Sequence, residues 1–507
     1  MRLLRGPNHR SSAWLELLRG PVALPFYWLI ASVSSLLCIS VSPVAALGLA
    51  TLGGLLLGRQ TGRAFEASFR REHLSAASPA RAITWHWLVI GTIVLNYAWF
   101  LFADRPFVPG LLFLIALIVL RRIRTRSLFP LTPLDLPIVV LLLLAVLATA
   151  VFSVKTSLSY PKLYGIAFSI LVFYEVVYGL QHKGNLIRWL VVLHLLGLAI
   201  AGLGLVGTDW FNKVADLSRV YALIPRKIVN VPRSIEGGFH RNGIAGTLIY
   251  LIPLYAVALK ARLLESHRYR RLYAGLSALT LVSTVLTLIL TQSRGALVGI
   301  SIACLALFLA MKGRLRLSLL IVACFLLVWL LFLTSRLSIA QHPAIGEVLQ
   351  SHRFRQRAWG LGLNVLEVFP LRSAGLGTFD HVARYMFPHL YCTDPRDALR
   401  GRHTTITHVH NELLQVAMDL GIPGFVAYVA LLAACARTAW RVWTWAPDKR
   451  VKWLILGLSA GMLAHQVFGL TDAFLLGTKP GVVMWIVMGL VTGLYLRLAP
   501  RHLAKQD

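Results

Sequence analysis

The sequence predicts an all-α polytopic membrane protein, with about twelve transmembrane helices (twelve to fourteen) and a long helical loop on the outer side. Three observations lead there. Of 507 residues, 57% are hydrophobic and only 14% charged, against roughly 25% charged in an ordinary soluble domain. Apolar runs recur from near Val22 to near Leu498 with no soluble module between them, and the mean hydropathy is +0.69. The net charge of +31, from 51 Lys+Arg and 20 Asp+Glu, is concentrated between those runs, so the chain alternates between lipid-compatible and basic segments.

A bilayer core takes roughly 17–25 apolar residues, and shorter runs fit as tilted or re-entrant pieces. The candidates in order are Val22–Val41, Pro43–Gly58, Ile83–Phe102, Val108–Leu120, Pro137–Ser153, Pro161–Leu180 and Ile187–Val206. Gly243–Leu259, Leu272–Thr291, Gly295–Met311, Leu317–Thr334, Pro423–Trp440, Trp453–Leu470 and Gly481–Leu496 complete the set. The first two pairs are short enough that two candidates can be one interrupted span, which gives the lower number.

Every second connection is rich in Arg and Lys, for example Arg59, Arg63, Arg70, Arg71 and Arg81, or Arg121, Arg122, Arg124 and Arg126. The other short connections hold only Arg105, Lys155, Arg294 and Lys479. By the positive-inside rule both termini are cytoplasmic. The chain then divides into N-terminal spans (1–206), a first long outer loop (207–242), central spans (243–334), a large helical outer loop (335–422) and C-terminal spans with a cytoplasmic tail (423–507).

Both long outer segments carry arginines against that rule: Arg219, Arg226, Arg233 and Arg241 in the first; Arg353, Arg355, Arg357, Arg372, Arg384, Arg396, Arg400 and Arg402 in the second. Topology does not account for these, whereas an anionic ligand at the outer surface does. Connections this long are usually functional.

Four motifs carry the chemistry. GGFHRNGIAG (237–246) enters a membrane helix with Arg241 and Asn242, and a helix N-terminus preceded by glycines suits phosphate. TQSRGALVG (291–299) puts Arg294 in a tight hairpin at the interface, where a guanidinium pairs, snorkels or serves a site. THVHNELLQVAMDLGIPG (407–424) offers His408, His410 and Asn411 before a helix that ends at a Gly-x-Pro-Gly turn, and histidine suits a general base near neutral pH. Asp472, in GLTDAF, is the carboxylate able to orient a histidine or pair with an arginine.

Other signals read as structure. GLGLVG (202–207) lies within an apolar span and reads as close helix packing rather than a dinucleotide loop. Asp394-Pro-Arg-Asp397 reads as a turn. His408 and His410 have no third ligand spaced for a metal, so no metal is expected. The cysteines predict no disulfide.

Together GxFxxN (Gly237 to Asn242), SRG (Ser293 to Gly295), RxW (Arg357 to Trp359), GxGxF (Gly375 to Phe379) and HNxxLQ…GIPG (His410 to Gly424) resemble the O-antigen ligase and polymerase superfamily. The resemblance covers about Arg233 to Asp472. It implies a GT-C-like, inner-membrane, inverting glycosyltransferase with a periplasmic active site, needing no nucleotide sugar, metal or other cofactor. The implied donor is an O-antigen glycan on undecaprenyl diphosphate, and the implied acceptor is a sugar hydroxyl of the lipid A core. Membrane lipids are the remaining partner expected, nucleic acid is not, and the oligomeric state is left open. His410 is then the base, Arg241 and Arg294 its catalytic partners, and Arg233, Arg357, Asn242, His408, Asn411 and Asp472 substrate-binding groups. An O-antigen polymerase, a protein O-oligosaccharyltransferase and, outside enzymes, a transporter are the alternatives.

Overall fold

The computed structural model describes residues 24–39, 41–72, 82–103, 106–125, 130–181, 185–207, 240–261, 270–310, 343–372, 374–388, 406–474 and 476–503. These form helices α1 (Leu24–Leu37), α2 (Pro43–Glu72), α3 (Ala82–Ala103), α4 (Val108–Thr125) and α5 (Asp135–Phe152). Then come α6 (Thr156–Leu180), α7 (Asn185–Gly207), α8 (Arg241–Ala261), α9 (Arg270–Thr291) and α10 (Arg294–Ala310). The remainder are α11 (Pro343–Val368), α12 (Phe379–Met386), α13 (Glu412–Trp445), α14 (Lys449–Gly469) and α15 (Gly481–Leu503). No strand occurs among the described residues.

Eight of these helices are long and apolar enough to cross a membrane: α5 to α9 and α13 to α15. Four shorter apolar helices lie within α1, α3, α4 and α10. Apolar residues remain exposed along the helices, among them Leu143, Leu195, Leu279, Val282 and Leu286. Such a row favours lipid as solvent, because a soluble monomer rarely leaves a large contiguous apolar surface open to water. The Leu317–Thr334 candidate lies outside the described residues. GLGLVG closes α7 as helix, with Gly204 against Ile244 of α8 and Thr287 of α9, as helix packing requires.

The centre of the bundle is α13, which packs against α2, α5, α14 and α15 and also meets α11. The helix stop predicted at Gly-Ile-Pro-Gly is present. Gly421 adopts φ 70° and ψ −177°, a non-helical residue that separates the helix beginning at Glu412 from the one that runs through Pro423 to Trp445. A proline supplies no N–H to the preceding turn, and a glycine accepts the left-handed conformation, so the two together end one helix and start the next in a new direction. A Cβ at Gly421 would fall 2.3 Å from the Leu371 carbonyl oxygen, while the Ile422 amide donates to the Pro370 carbonyl. The segment that carries His410 is thereby joined rigidly to a membrane helix.

Helix α14 lies between α8 and α10 and antiparallel to both. The C-terminal end of α14 therefore meets the N-terminal ends of its neighbours: Phe468 lies against both Gly246 of α8 and Gly295 of α10. Three motifs far apart in sequence share one end of the bundle for that reason.

Candidate active site

Asp472 follows α14 directly and is the centre of this end. It is 1% exposed, whereas the His408 and His410 side chains are 25% and 19% exposed, so a buried carboxylate sits behind two accessible imidazoles. His408 Nε2 is 3.3 Å and His410 Nδ1 3.2 Å from the same oxygen, Asp472 Oδ1. The Ala473 amide donates to that oxygen at 3.0 Å, and Asn242 Nδ2 donates to Oδ2 at 2.8 Å. Burial alone would raise the Asp472 carboxyl, but hydrogen bonds from His408 and His410 outweigh it and hold the group well below the usual carboxylate range. Asp472 is thus ionised at any physiological pH. His408 is lowered as well, in its case by burial, against the pull of the Asp472 hydrogen bond.

The two histidines are held from several sides. His410 has φ 49°; Gln292, just before the Ser-Arg-Gly motif, has φ 51°, and these are the two non-glycine residues with positive φ among the described residues. Such backbone persists only where the surroundings fix it, and it gathers at functional sites. The Phe354 ring stands edge-on to His410 at 5.5 Å, and Trp359 Nε1 donates to the His410 carbonyl at 3.3 Å. The His408 and His410 ring centres are 4.0 Å apart, and His408 Nδ1 meets Thr407 Oγ1 at 2.9 Å.

Asn411 caps α13, accepting from the Leu414 amide at 3.0 Å, and its Nδ2 donates to the Leu470 carbonyl at 3.2 Å. Its side chain ties the histidine segment to the end of α14. Asp419 performs the same service for the Gly-x-Gly-x-Phe loop, accepting from the Gly377 amide at 2.9 Å, Lys162 at 3.0 Å and Gln415 at 3.1 Å.

Arg241 is exposed at the first residue of α8, immediately beside Asn242. Arg294 is half-buried at the first residue of α10. A Cβ at the next residue, Gly295, would lie 2.5 Å from Thr471 Oγ1. Only a glycine lets α10 start so close to the Asp472 segment. Each arginine is therefore one residue away from a group in contact with Asp472 or its chain neighbour. Arg357 is exposed on α11. Arg233, Asp394 and Asp397 lie outside the described residues.

Three contributors escaped sequence reasoning. Arg355, two residues before Arg357, donates from Nε to the Thr471 carbonyl at 2.9 Å. Glu412 is buried and accepts from the Phe474 amide at 2.9 Å. Trp359, noted only as part of a motif, is the residue that reaches the His410 backbone. The spacing argument against a third metal ligand also fails in three dimensions. Asp472 supplies one from outside the histidine segment, and the three ligand atoms lie within 4.8 Å of one another.

Chemically, an imidazole that donates a hydrogen bond from Nδ1–H to a fixed carboxylate keeps a lone pair on Nε2 and is oriented to accept a proton. The N-terminal ends of α8 and α10 add partial positive charge at the same end of the bundle. Residues 277–429, from α9 through His410 into α13, match the family model described as O-antigen ligase. No curated protein matches the chain. The matched stretch contains Arg294, His408, His410 and Asn411, while Asn242 and Asp472 complete the cluster from outside it. That stretch, about three-tenths of the chain, is similar to the O-antigen ligase family, and it lies in a chain with eight helices, among the described residues, long and apolar enough to cross a membrane.

Proposed function

We propose that the protein is an O-antigen ligase of the bacterial inner membrane, moving a glycan from undecaprenyl diphosphate to a sugar hydroxyl of the lipid A core at a periplasmic site. The observation that carries this reading is the His410–Asp472 pair, closed by Asn242 from a different helix, inside a chain whose central segment matches the ligase family. The acceptor hydroxyl gives its proton to His410 Nε2 as its oxygen attacks the anomeric carbon. The bond from that carbon to the phosphate oxygen breaks, undecaprenyl diphosphate leaves with the electron pair, and the configuration inverts. Asp472 stabilises the imidazolium that forms. Arg241 and Arg294, with Arg233 and Arg357 in support, bind the diphosphate and stabilise the charge that develops on it. Two helix N-termini pointing at the same place favour that anion further. A diphosphate leaves readily, so the chemistry asks for a base and positive charge but for no acid.

A strain lacking the gene tests the assignment. Lipid A core without O-antigen, restored to full-length chains by the wild-type gene and not by His410→Ala, is the expected result. Core bearing a single glycan repeat would replace ligase by polymerase.

A further inference from the structure

The geometry around Asp472 fits a second ligand. A histidine donating to a carboxylate in a charge-assisted bond usually stands about 2.7–2.9 Å away. Both imidazole nitrogens here stand farther off, at 3.2 and 3.3 Å from Oδ1, an oxygen that also accepts from the Ala473 amide. A tetrahedral cation with ligand bonds of about 2.0–2.1 Å has ligand-to-ligand edges of roughly 3.3 Å. The two nitrogen–oxygen separations match that edge, and one ring nitrogen of each histidine and a carboxylate oxygen of Asp472 lie within 4.8 Å of one another.

The surroundings are those of a metal site as well. A ligating histidine usually has its other ring nitrogen held by a polar group, and a ligating carboxylate is itself hydrogen-bonded. His408 Nδ1 meets Thr407 Oγ1, and Asp472 Oδ2 accepts from Asn242. Solvent reaches both rings, which leaves an entry path and an open fourth position.

We propose that His408 Nε2, His410 Nδ1 and Asp472 Oδ1 bind one divalent transition-metal cation of the Zn²⁺ class, and that this cation inhibits glycan transfer. Two imidazoles and one carboxylate suit Zn²⁺, Co²⁺, Ni²⁺ or Cu²⁺ and not the all-oxygen preference of Mg²⁺ or Ca²⁺. When His410 coordinates through Nδ1, its proton resides on Nε2, and the lone pair that would take the acceptor proton is gone. Coordination and base catalysis then exclude each other. The binding half of the inference stands on the geometry alone, whereas the inhibition half rests on the base role proposed above for His410.

The test uses the full chain without a histidine tag, stripped with chelator, then titrated with ZnCl₂ by calorimetry and with CoCl₂ by visible absorption. Wild type should bind one Zn²⁺ tighter than about 10 µM, show the absorption of tetrahedral Co²⁺ and unfold at a higher temperature with Zn²⁺ present. His408→Ala, which removes a ligand, should lose the Co²⁺ band and the thermal shift. Thr407→Val, which keeps all three ligands, should weaken binding by about 10–100-fold, and keeps the test decisive should the alanine variant not fold. Zinc should also abolish glycan transfer, with full recovery on adding chelator. Absence of wild-type binding, or binding that neither variant weakens, overturns the cation site and leaves the transferase reading untouched. Binding at this site with undiminished transfer overturns the mutual exclusion, and with it the role of His410 as base.

Discussion

Two of the buried carboxylates among the described residues, Glu175 and Asp472, have basic partners and are built for opposite purposes. Glu175 of α6 meets Arg121 of α4 in a two-point contact, at 2.6 and 2.7 Å, with both side chains no more than 1% exposed. The Arg121 guanidinium also lies 3.9 Å above the Tyr178 ring. Every atom of that pair faces protein, so it can hold helices together and can do little else. Asp472 is equally buried, yet its histidine partners are reachable from solvent. Partners that can take up and release a proton and remain accessible separate a site that reacts from a pair that only binds.

The sharpest way to break this contrast is to remove one member from each. His410→Ala should lower the transfer rate by ~10²–10⁴-fold while the unfolding temperature in detergent stays near that of wild type. Glu175→Leu should do the reverse. It strands a buried guanidinium at a cost of about 3–5 kcal/mol, read as a lower unfolding temperature, while the folded fraction transfers glycan at the normal rate. A slower turnover in Glu175→Leu would couple the two regions and remove the contrast.

Asp472→Asn comes next, with a loss of transfer of about 10²-fold, since the base keeps a neighbour but loses its counter-charge. The same variant has a signature in pH. The Asp472 carboxyl is held below its unfolded value, so its contribution to stability is complete above the ordinary carboxylate range, near pH ~4, and fades as pH falls below it. Wild type should therefore be more stable than Asp472→Asn at pH 7, and the two unfolding curves should approach each other below about pH 4. A gap that persists in acid would mean that shape, rather than charge, distinguishes them.

The smallest effect is expected from Asn242→Ala. It removes one hydrogen bond to Asp472 Oδ2, about 1 kcal/mol, or a rate loss of several-fold. Asn242→Asp should be worse than alanine, because it sets a second negative charge against the buried carboxylate.

The contrast between the two carboxylates also shows what sequence can reveal. Hydropathy and charge alternation make the membrane helices legible, because a span must be apolar over its whole length. His410, Asn242 and Arg294 were legible through motif composition, since each sits beside glycine or asparagine at the start of a helix. Their convergence was not, because it depends on α14 running antiparallel between α8 and α10, which brings Asp472 to both. The choice between Arg355 and Arg357 turned on helical phase: two residues differ by about 200° around an α-helix, and nothing in the sequence says which side of α11 faces α14. Arg355 reaches Thr471, whereas Arg357 is exposed. The helix stop at Gly421 is legible because glycine and proline both signal it. The close fit of Gly421 against Leu371 is not, because it depends on a partner distant in sequence. Arg121 appeared as one of four basic residues in a positive connection. Its burial against Glu175 depends on a partner outside that connection, beyond the reach of a loop-by-loop charge reading.

The most direct test of the central claim, that Asp472-oriented His410 drives glycan transfer, is one reaction with defined substrates. Purified protein is incubated with undecaprenyl-diphosphate glycan and rough lipopolysaccharide, without nucleotide or added metal, and the mass of the lipid A core is followed for wild type and His410→Ala. Core of raised mass from wild type, with at most about one-hundredth of that rate from the variant, is the result predicted. Equal rates from the two proteins, or no product from folded wild type with verified substrates, would contradict it.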